Sequence, residues 1–359
     1  MKLSHVKTTI LPFAPNRVLR LYLGGSGIDR LCGIEPAEDT RYPENWIASC
    51  IEGNGRAYHS PGHGISKIRL PGGETASFPE YLAAHAVELL GERHFRKYGA
   101  NPAVLVKLLD SAEQLPLQVH PTREDARRHL HSTYGKTEAW IVLATRPVNG
   151  EEPYLLVGFN DKLDPEVFRR ESLAGKFDRG SAMLNRIAVA PGDTIIIRGG
   201  VPHAIGPGVT MVEIMEPSDW VVIPEIACCG VELDEKQRFM GIDPKTAVGM
   251  FDFTPQTEAQ IRVHFSPVPK ILQQTSAGTF RSLIAPEDCE LFSAYELTLD
   301  GEWELKNRDS FAIGIVTAGT LSLDGIRMRS GENFFLPFAL ERLRISGTGR
   351  MILIRPPAA

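Results

Sequence analysis

The sequence lacks long hydrophobic runs and a leader-like N-terminus. No apolar stretch approaches the ~18 uninterrupted residues of a membrane-spanning helix, so we expect no membrane contact. The first residues, MKLSHVKTTILPFAPNR, contain only a brief apolar run that Pro12 and Pro15 interrupt, which is unlike the core of a signal peptide. The sequence therefore predicts a cytoplasmic location.

The chain also lacks a large excess of positive or negative charge. Lysine and arginine number 39 and the acidic residues 44, a formal net charge of −5. A mildly acidic chain is not typical of nucleic-acid or membrane-surface binders, so we expect no nucleic-acid partner. The five cysteines have no framework spacing, which fits reduced thiols. The sequence does not indicate an oligomeric state.

Turn-forming residues are abundant. The 33 glycines and 26 prolines favour many short segments and hence a β-rich chain. Three helices are predicted: one that Ser77 caps and that ends at Gly91 or Gly99, a second from Thr122 to about Leu130, and a third over residues 164–173. The predicted strands are 103–109, 115–120, 138–143, 154–157, 186–189, 194–198, 210–215, 292–299, 310–317, 320–323, 333–337 and 351–354. We expect a β-barrel or sandwich with a few inserted helices over residues 1–265, then a smaller β domain over 266–359.

Four side chains form a candidate metal site. Gln118 and His120 are two residues apart in a predicted strand and so face the same side. Glu138 begins an apolar strand, and His203 follows a Gly-Gly corner. Two imidazoles, a carboxylate and an amide oxygen suit Zn²⁺, and also Fe²⁺, Mn²⁺ or Co²⁺. Spacing alone does not show convergence, because a single histidine in a strand is more often structural.

The segment that ends at His203 nearly fits the second cupin motif, G-x5-P-x-G-x2-H. Gly192, Gly200 and His203 occupy motif positions, whereas Arg198 stands where the motif has proline. The first cupin motif is present only in part, as Gln118-x-His120, with Glu138 delayed by an inserted helix.

Several strings then occur in the order found in one family. They are Gly24-Gly25, Glu44-Asn45-Trp46 with Ser49, Lys107-Leu108-Leu109-Asp110, Gln118-Val119-His120-Pro121, Gly135-Lys136-Thr137-Glu138, His203-Ala204-Ile205-Gly206, Glu213 and Ser218-Asp219. Over roughly residues 17–225 the chain thus resembles the type I mannose-6-phosphate isomerases, which are zinc-dependent cupin enzymes. A degenerate second cupin domain at 266–359 fits the family's layout weakly.

The resemblance implies a fold, a cofactor and a reaction. The fold would be mainly β, with double-stranded β-helix (cupin or jelly-roll) barrels and a few inserted helices. Zinc would be bound by Gln118, His120, Glu138 and His203, with Lys136 and Glu213 as the candidate catalytic residues. The reaction interconverts mannose 6-phosphate and fructose 6-phosphate through a cis-enediol, so the expected partner is a sugar or sugar phosphate.

Three departures from the family concern the substrate. Pro116 replaces a serine, Ile223 stands where the family has an active-site arginine, and Arg198 replaces the cupin proline. We take Arg198 and Asp219 as the candidate substrate-binding residues, with Arg198 or another cation such as Lys67 or Arg69 in the lost arginine's role.

Other functions are also compatible with the sequence. The substrate could be an unphosphorylated or different sugar, since Ile223 and Pro116 remove two polar contacts. The chain could instead be a catalytically weak sugar-binding cupin. A cupin dioxygenase is a further alternative, against which the Gln118 ligand and the Gly-Lys-Thr-Glu string both argue.

Overall fold

The computed structural model of the chain describes residues 9–53, 60–70, 72–177, 180–307 and 309–358. Across these ranges, every helix is too short or too polar to cross a membrane.

The helices are α1 Ser26–Cys32, α2 Phe78–Ala84, α3 Ala86–Leu90, α4 Glu92–Tyr98, α5 Arg123–His129, α6 Pro165–Ala174, α7 Glu235–Phe239, α8 Pro244–Val248 and α9 Glu258–Phe265. The strands of the first 265 residues are β1 Leu11–Pro12, β2 Arg17–Val18, β3 Glu44–Ile47, β4 Lys67–Arg69, β5 Thr75–Ser77, β6 Leu105–Asp110, β7 Glu138–Thr145, β8 Tyr154–Phe159, β9 Leu184–Ala188, β10 Thr194–Ile197, β11 His203–Ile205, β12 Val209–Met215, β13 Ala227–Cys228 and β14 Val231–Glu232. Those that follow are β15 Lys270–Gln274, β16 Gly278–Ile284, β17 Ser293–Lys306, β18 Ala312–Leu323, β19 Ile326–Arg329, β20 Asn333–Leu336 and β21 Arg342–Arg355.

Two helices agree closely with their predicted ranges and are capped by side chains, whereas Ser77, the predicted cap, makes no side-chain cap hydrogen bond. The Thr122 hydroxyl accepts the backbone N–H of Asp125 at the start of α5, and the Asp164 carboxylate accepts two N–H groups at the start of α6. The helix predicted after Ser77 is instead three short helices, because the chain bends at His85 and Gly91. Among the helices in the described ranges, four were not predicted, namely α1, α7, α8 and α9.

A six-stranded sheet with the order β10-β7-β12-β6-β3-β2 carries the candidate site. Alternation along its strands gives it two different faces. Val106 and Leu108 of β6 point to the face that packs against the C-terminal strands. Lys107 is also buried, between them in sequence, and so lies on the opposite face. That opposite face meets the three-stranded sheet β11-β8-β9 through an apolar cluster that includes Trp140, Leu155 and Ile205.

The C-terminal residues build a second, larger sheet, with the order β1-β20-β18-β21-β17-β16-β15 and β19 paired to β18. Its strand β1 comes from the N-terminal residues, where Leu11 pairs with Phe335. One continuous core joins this sheet to the six-stranded sheet and to helices α2 and α3. The protein is thus mainly β with a few helices, as predicted. The division at residues 265 and 266 stays a prediction.

The strand predicted over residues 115–120 is wrong in extent. Only two isolated bridges form there, Gln118 with His203 and Val119 with Val222. Pro116 and Pro121 flank these bridges, and proline has no N–H for a β-ladder. The segment therefore crosses the end of the sheets as a short connection.

Candidate metal centre and active site

Backbone contacts bring the two histidine segments together. Gln118 and His203 exchange both backbone hydrogen bonds, at 2.9 Å each, and the Gly200 N–H donates to the His120 carbonyl at 2.8 Å. The Gly-Gly corner allows this approach, since a Cβ on Gly199 would lie 2.8 Å from the Thr122 Cα and Gly200 has a φ of 90°. His120 and His203 consequently have ring centroids 4.7 Å apart.

Glu138 reaches the same place from the first position of β7. The loop before it is held by the Lys136 N–H, which donates to the Pro121 carbonyl at 3.1 Å, and by the Thr137 N–H, which donates to the Glu216 carboxylate at 3.0 Å. Glu216, which is buried, also accepts from Arg123 at 2.6 Å. The motif residues 135–138 are therefore fixed to the start of α5.

Three buried ligand atoms converge at this point. The Glu138 carboxylate lies 3.0 Å from His120 Nε2 and 3.4 Å from His203 Nε2. One ligand atom from each of the three residues lies within 4.8 Å of the others. The Lys136 Nζ is 2.8 Å from both His120 Nε2 and the Glu138 carboxylate.

The donor set fits a metal ion. His120 Nδ1 lies 2.9 Å from the Trp220 carbonyl and His203 Nδ1 2.9 Å from the Val201 carbonyl. Each contact favours a proton on Nδ1 and leaves the Nε2 lone pair facing the triad. His203 Nε2 is fully buried and has no hydrogen-bond partner, which a metal would supply. Gln118, half-buried beside them, lines the adjoining cavity.

The protonation states agree with metal ligation. Burial, followed by the Lys136 charge, lowers the pKa of His120 to about 3, and burial also lowers the pKa of His203. Burial alone would raise the pKa of Glu138, but Lys136 and His120 outweigh it and hold that pKa well below its ordinary value. Two neutral imidazoles and an ionised carboxylate are the forms that bind Zn²⁺.

A cavity with charged and apolar side chains in its wall opens beside the triad. Its walls are Leu19, Arg20, Leu21, Tyr22, Glu44, Lys107, Leu109, Leu115, Pro116, Gln118, Lys136, Glu138, Ile205, Glu213, Asp219, Val221 and Ile223. Of the predicted site residues, Gln118, Lys136, Glu138, Glu213 and Asp219 therefore share one cavity. His120 and His203 lie behind that wall, with no exposed surface.

Glu213 lies opposite the triad on β12. Its carboxylate is 3.2 Å from Lys107 Nζ and 3.8 Å from Lys136 Nζ. Burial raises the pKa of Glu213 to about 7, and the Lys107 charge opposes that rise. A carboxyl group that titrates near neutral pH is suited to accept and return a proton.

Arg20, Glu44 and Lys107 complete the charged wall, and the sequence reading gave them no role. Glu44 accepts hydrogen bonds from the Tyr22 hydroxyl and the Trp46 indole, each at 2.6 Å. Lys107 lies 3.5 Å from the same carboxylate. A lysine inside the apolar strand Leu105–Asp110 was the signal for Lys107, whereas nothing in the sequence marks Arg20.

The structure places Arg198 elsewhere. Its guanidinium is exposed and donates to the Asp288 carbonyl of the C-terminal region at 2.9 Å, and it is not among the described residues of the cavity wall. The prediction that Arg198 binds substrate disagrees with this position, because the side chain follows β10 outward. The alternatives Lys67 and Arg69 are exposed on β4, also outside the wall. Ile223 and Pro116, in contrast, do line the cavity.

The β fold, the two histidine segments and the buried donor set resemble those of metal-binding cupins. Residues 282–356 match the family model described as "Mannose-6-phosphate isomerase, cupin domain". That match lies in the C-terminal region, where the sequence motifs gave only a weak resemblance.

Curated and solved relatives agree. The mannose-6-phosphate isomerase ManA of Bacillus subtilis is 25% identical over 259 residues, which cover 70% of this chain and 74% of ManA. The crystal structure of the Bacillus subtilis mannose 6-phosphate isomerase superposes with a TM-score of 0.72 at 20% identity, covering 97% of this chain and all of that one. A zinc-bound mannose 6-phosphate isomerase gives a TM-score of 0.70 at 18% identity, over 98% of this chain and all of the other. The resemblance to type I mannose-6-phosphate isomerases is thus confirmed.

Proposed function

We propose that the protein is a zinc-dependent aldose–ketose isomerase that interconverts mannose 6-phosphate and fructose 6-phosphate. The observation that carries this proposal is the His120–Glu138–His203 triad, which shares one cavity with Lys136 and Glu213. A non-catalytic sugar-binding protein would not require a carboxyl group such as Glu213, with a pKa of about 7 beside a lysine.

His120, Glu138 and His203, with Gln118 beside them, would hold the metal. When bound, a zinc ion polarises a substrate carbonyl and stabilises negative charge on its oxygen. The carbonyl oxygens that hold both Nδ1 atoms keep the two imidazoles oriented for this role.

Glu213 is the proposed proton carrier. Moving a proton between C1 and C2 of the sugar needs a base that takes it and returns it as an acid, so a pKa near 7 serves both steps. Lys107, 3.2 Å away, orients the carboxylate and stays charged: burial opposes that charge, but Glu213 and Glu44 raise its pKa.

Lys136 has a different proposed part. Its ammonium lies 3.8 Å from Glu213 and 2.8 Å from Glu138, between the base and the ligands. A positive charge at that position stabilises an enediolate oxygen as charge develops on it.

The test is turnover of mannose 6-phosphate, coupled to detection of fructose 6-phosphate, on zinc-loaded and on chelated protein. We expect activity that zinc supports and that a chelator removes. No turnover by protein verified to contain zinc, or faster turnover of mannose than of its 6-phosphate, would contradict the proposal.

The setting of this reaction is inferred as well. All five cysteines are free thiols, which supports a reducing compartment such as the cytoplasm. A sugar phosphate is the proposed partner. The expectation that no nucleic acid binds stays a prediction from composition.

A further inference from the structure

Among the described residues of the cavity wall, three are cations, and all three contact carboxylates but differ in exposure. Lys107 is 1% exposed and lies between the Glu44 and Glu213 carboxylates. Lys136 is 5% exposed and lies against His120 and Glu138. The third cation is Arg20, whose side chain is 17% exposed. Among the cavity residues that the structure describes, Arg20 is therefore the cation most accessible to a ligand.

Two carboxylates hold the Arg20 guanidinium in place. Its terminal nitrogens donate to the two oxygens of Asp219, at 3.2 Å each, and its Nε lies 3.0 Å from Glu44. A fork held at three nitrogens keeps its plane fixed and loses little rotamer freedom when it binds a further group.

The Arg20 guanidinium has more N–H donors than these contacts use. A guanidinium has five N–H groups, and these three contacts take one from each nitrogen. One N–H on each terminal nitrogen is not used by these contacts with Asp219 and Glu44. Asp219 occupies the parallel pair of N–H groups at the end of the guanidinium, so the two remaining N–H groups diverge, and each can donate one charge-assisted hydrogen bond to a phosphate oxygen.

Beyond the two carboxylates, apolar side chains also lie in the cavity wall near Arg20. Leu19, Leu21, Val221 and Ile223 line this part of the cavity. None of these side chains can donate a hydrogen bond. Because they exclude water, the electrostatic interaction between Arg20 and a bound anion is stronger than it would be in solvent. An anionic group that enters here would meet Arg20 as its charge partner.

We propose that Arg20, positioned by Asp219 and Glu44, binds the phosphate group of the substrate, in place of both Ile223 and Arg198. This inference rests on the proposed function for the identity of the phosphate ester. It assigns Asp219 as the positioning residue of that arginine.

The test compares Arg20→Lys and Arg20→Ala with the wild type. Arg20→Lys keeps a positive charge between Asp219 and Glu44 but loses the fork, which guards against failure to fold. We expect KM for mannose 6-phosphate to rise about tenfold or more in both variants, since a charged hydrogen-bond pair is lost, with kcat changed much less. Inorganic phosphate, used as a competitive inhibitor, is expected to bind about tenfold more weakly.

Two further variants locate the role. Arg262→Lys, on the surface of α9, is the matched control and is expected to change neither constant. Adding Ile223→Arg to Arg20→Ala is expected to recover phosphate binding, because it restores a guanidinium to the same wall. A purely structural role for Arg20 would show no such recovery.

The outcomes separate this inference from the proposed function. Binding of inorganic phosphate, measured by calorimetry, needs no turnover, so it tests Arg20 even if mannose 6-phosphate proves not to be the substrate. Constants within twofold of wild type in Arg20→Lys and Arg20→Ala, with zinc content and circular dichroism unchanged, would overturn the assignment. So would wild-type protein that does not bind phosphate, or an increase in KM found in Arg198→Ala alone.

Discussion

The two faces of the six-stranded sheet are built from the same strands, but one carries the ionisable residues of the cavity and the other packs into the apolar core. On the cavity face, Lys107, Glu138 and Glu213 are each no more than 3% exposed, yet all carry ionisable groups. On the other face, the neighbours Val106, Leu108 and Ile214 pack into a core shared with the C-terminal sheet. Successive residues of one strand thus alternate between the ionisable cavity face and the apolar core. A substitution can therefore change one face without changing the other.

The largest effect is expected from the metal ligands. His203→Ala removes a donor whose Nε2 faces the triad, so we expect loss of bound zinc and of detectable turnover, about 10⁴-fold or more, since metal catalysis supplies several kcal/mol. Zinc content is measured by atomic absorption. His85→Ala, on the half-exposed surface near α2, is the control. Full zinc occupancy in His203→Ala would show that the triad is not the metal site.

The next effect concerns the proton carrier. Glu213→Gln keeps the shape but removes the base, so kcat should fall about 10²- to 10⁴-fold while zinc content is unchanged. In the wild type, kcat should decline as pH falls through about 7, because the carboxylate with a pKa of about 7 becomes protonated. The pH profile of initial rates checks this. An acid limb that persists unchanged in Glu213→Gln would assign it to another group.

The core that the apolar face shares with the C-terminal sheet should respond in stability instead. Phe335 has its ring centroid 5.5 Å from Phe78 and 5.0 Å from Phe311, and it is fully buried. Phe335→Ala is expected to lower the free energy of unfolding by about 3–5 kcal/mol, measured by urea denaturation. Phe95→Ala, on the surface of α4, is the control. A large loss of activity in folded, zinc-loaded Phe335→Ala would break the separation between the two faces.

The smallest effect is expected from Glu225, a partly buried acid that contacts the backbone of Leu117. Burial raises the pKa of Glu225 to about 7, although the Leu117 N–H that it accepts at 3.0 Å opposes the rise. The folded state then holds the proton more tightly than the unfolded state, so stability should fall as pH rises from about 4.5 to about 7, by about 3 kcal/mol.

Glu225→Gln keeps an acceptor for Leu117 and should remove this dependence, a gain of about 2 kcal/mol at pH 8 after the cost of burying an amide N–H. Thermal or urea unfolding at pH 5 and pH 8 measures it. Equal pH dependence in the two proteins would contradict the assignment.

Sequence reasoning reached the parts of the molecule that have local signals. The helices predicted from Thr122 and over residues 164–173 are both present, and apolar runs between turn residues located most strands of the six-stranded sheet. The site residues Gln118, His120, Glu138 and His203 were found as motifs, and the structure brings them together.

The rest depends on distant contacts. Arg20 enters the cavity because Asp219, 199 positions away, and Glu44 hold it, and no local pattern records such pairings. Arg198 was favoured for its position in a motif, but the outward course of the chain after β10 takes it to Asp288. The pairing of β1 with β20 likewise depends on tertiary contacts between the chain's two ends.

Anomalous diffraction at the zinc absorption edge, from crystals of zinc-loaded protein, tests the central claim most directly. We predict one peak at about 2.0–2.2 Å from His120 Nε2, His203 Nε2 and a Glu138 oxygen, beside Gln118 in the cavity wall. A zinc peak elsewhere in the molecule, with this triad unliganded, would contradict the account.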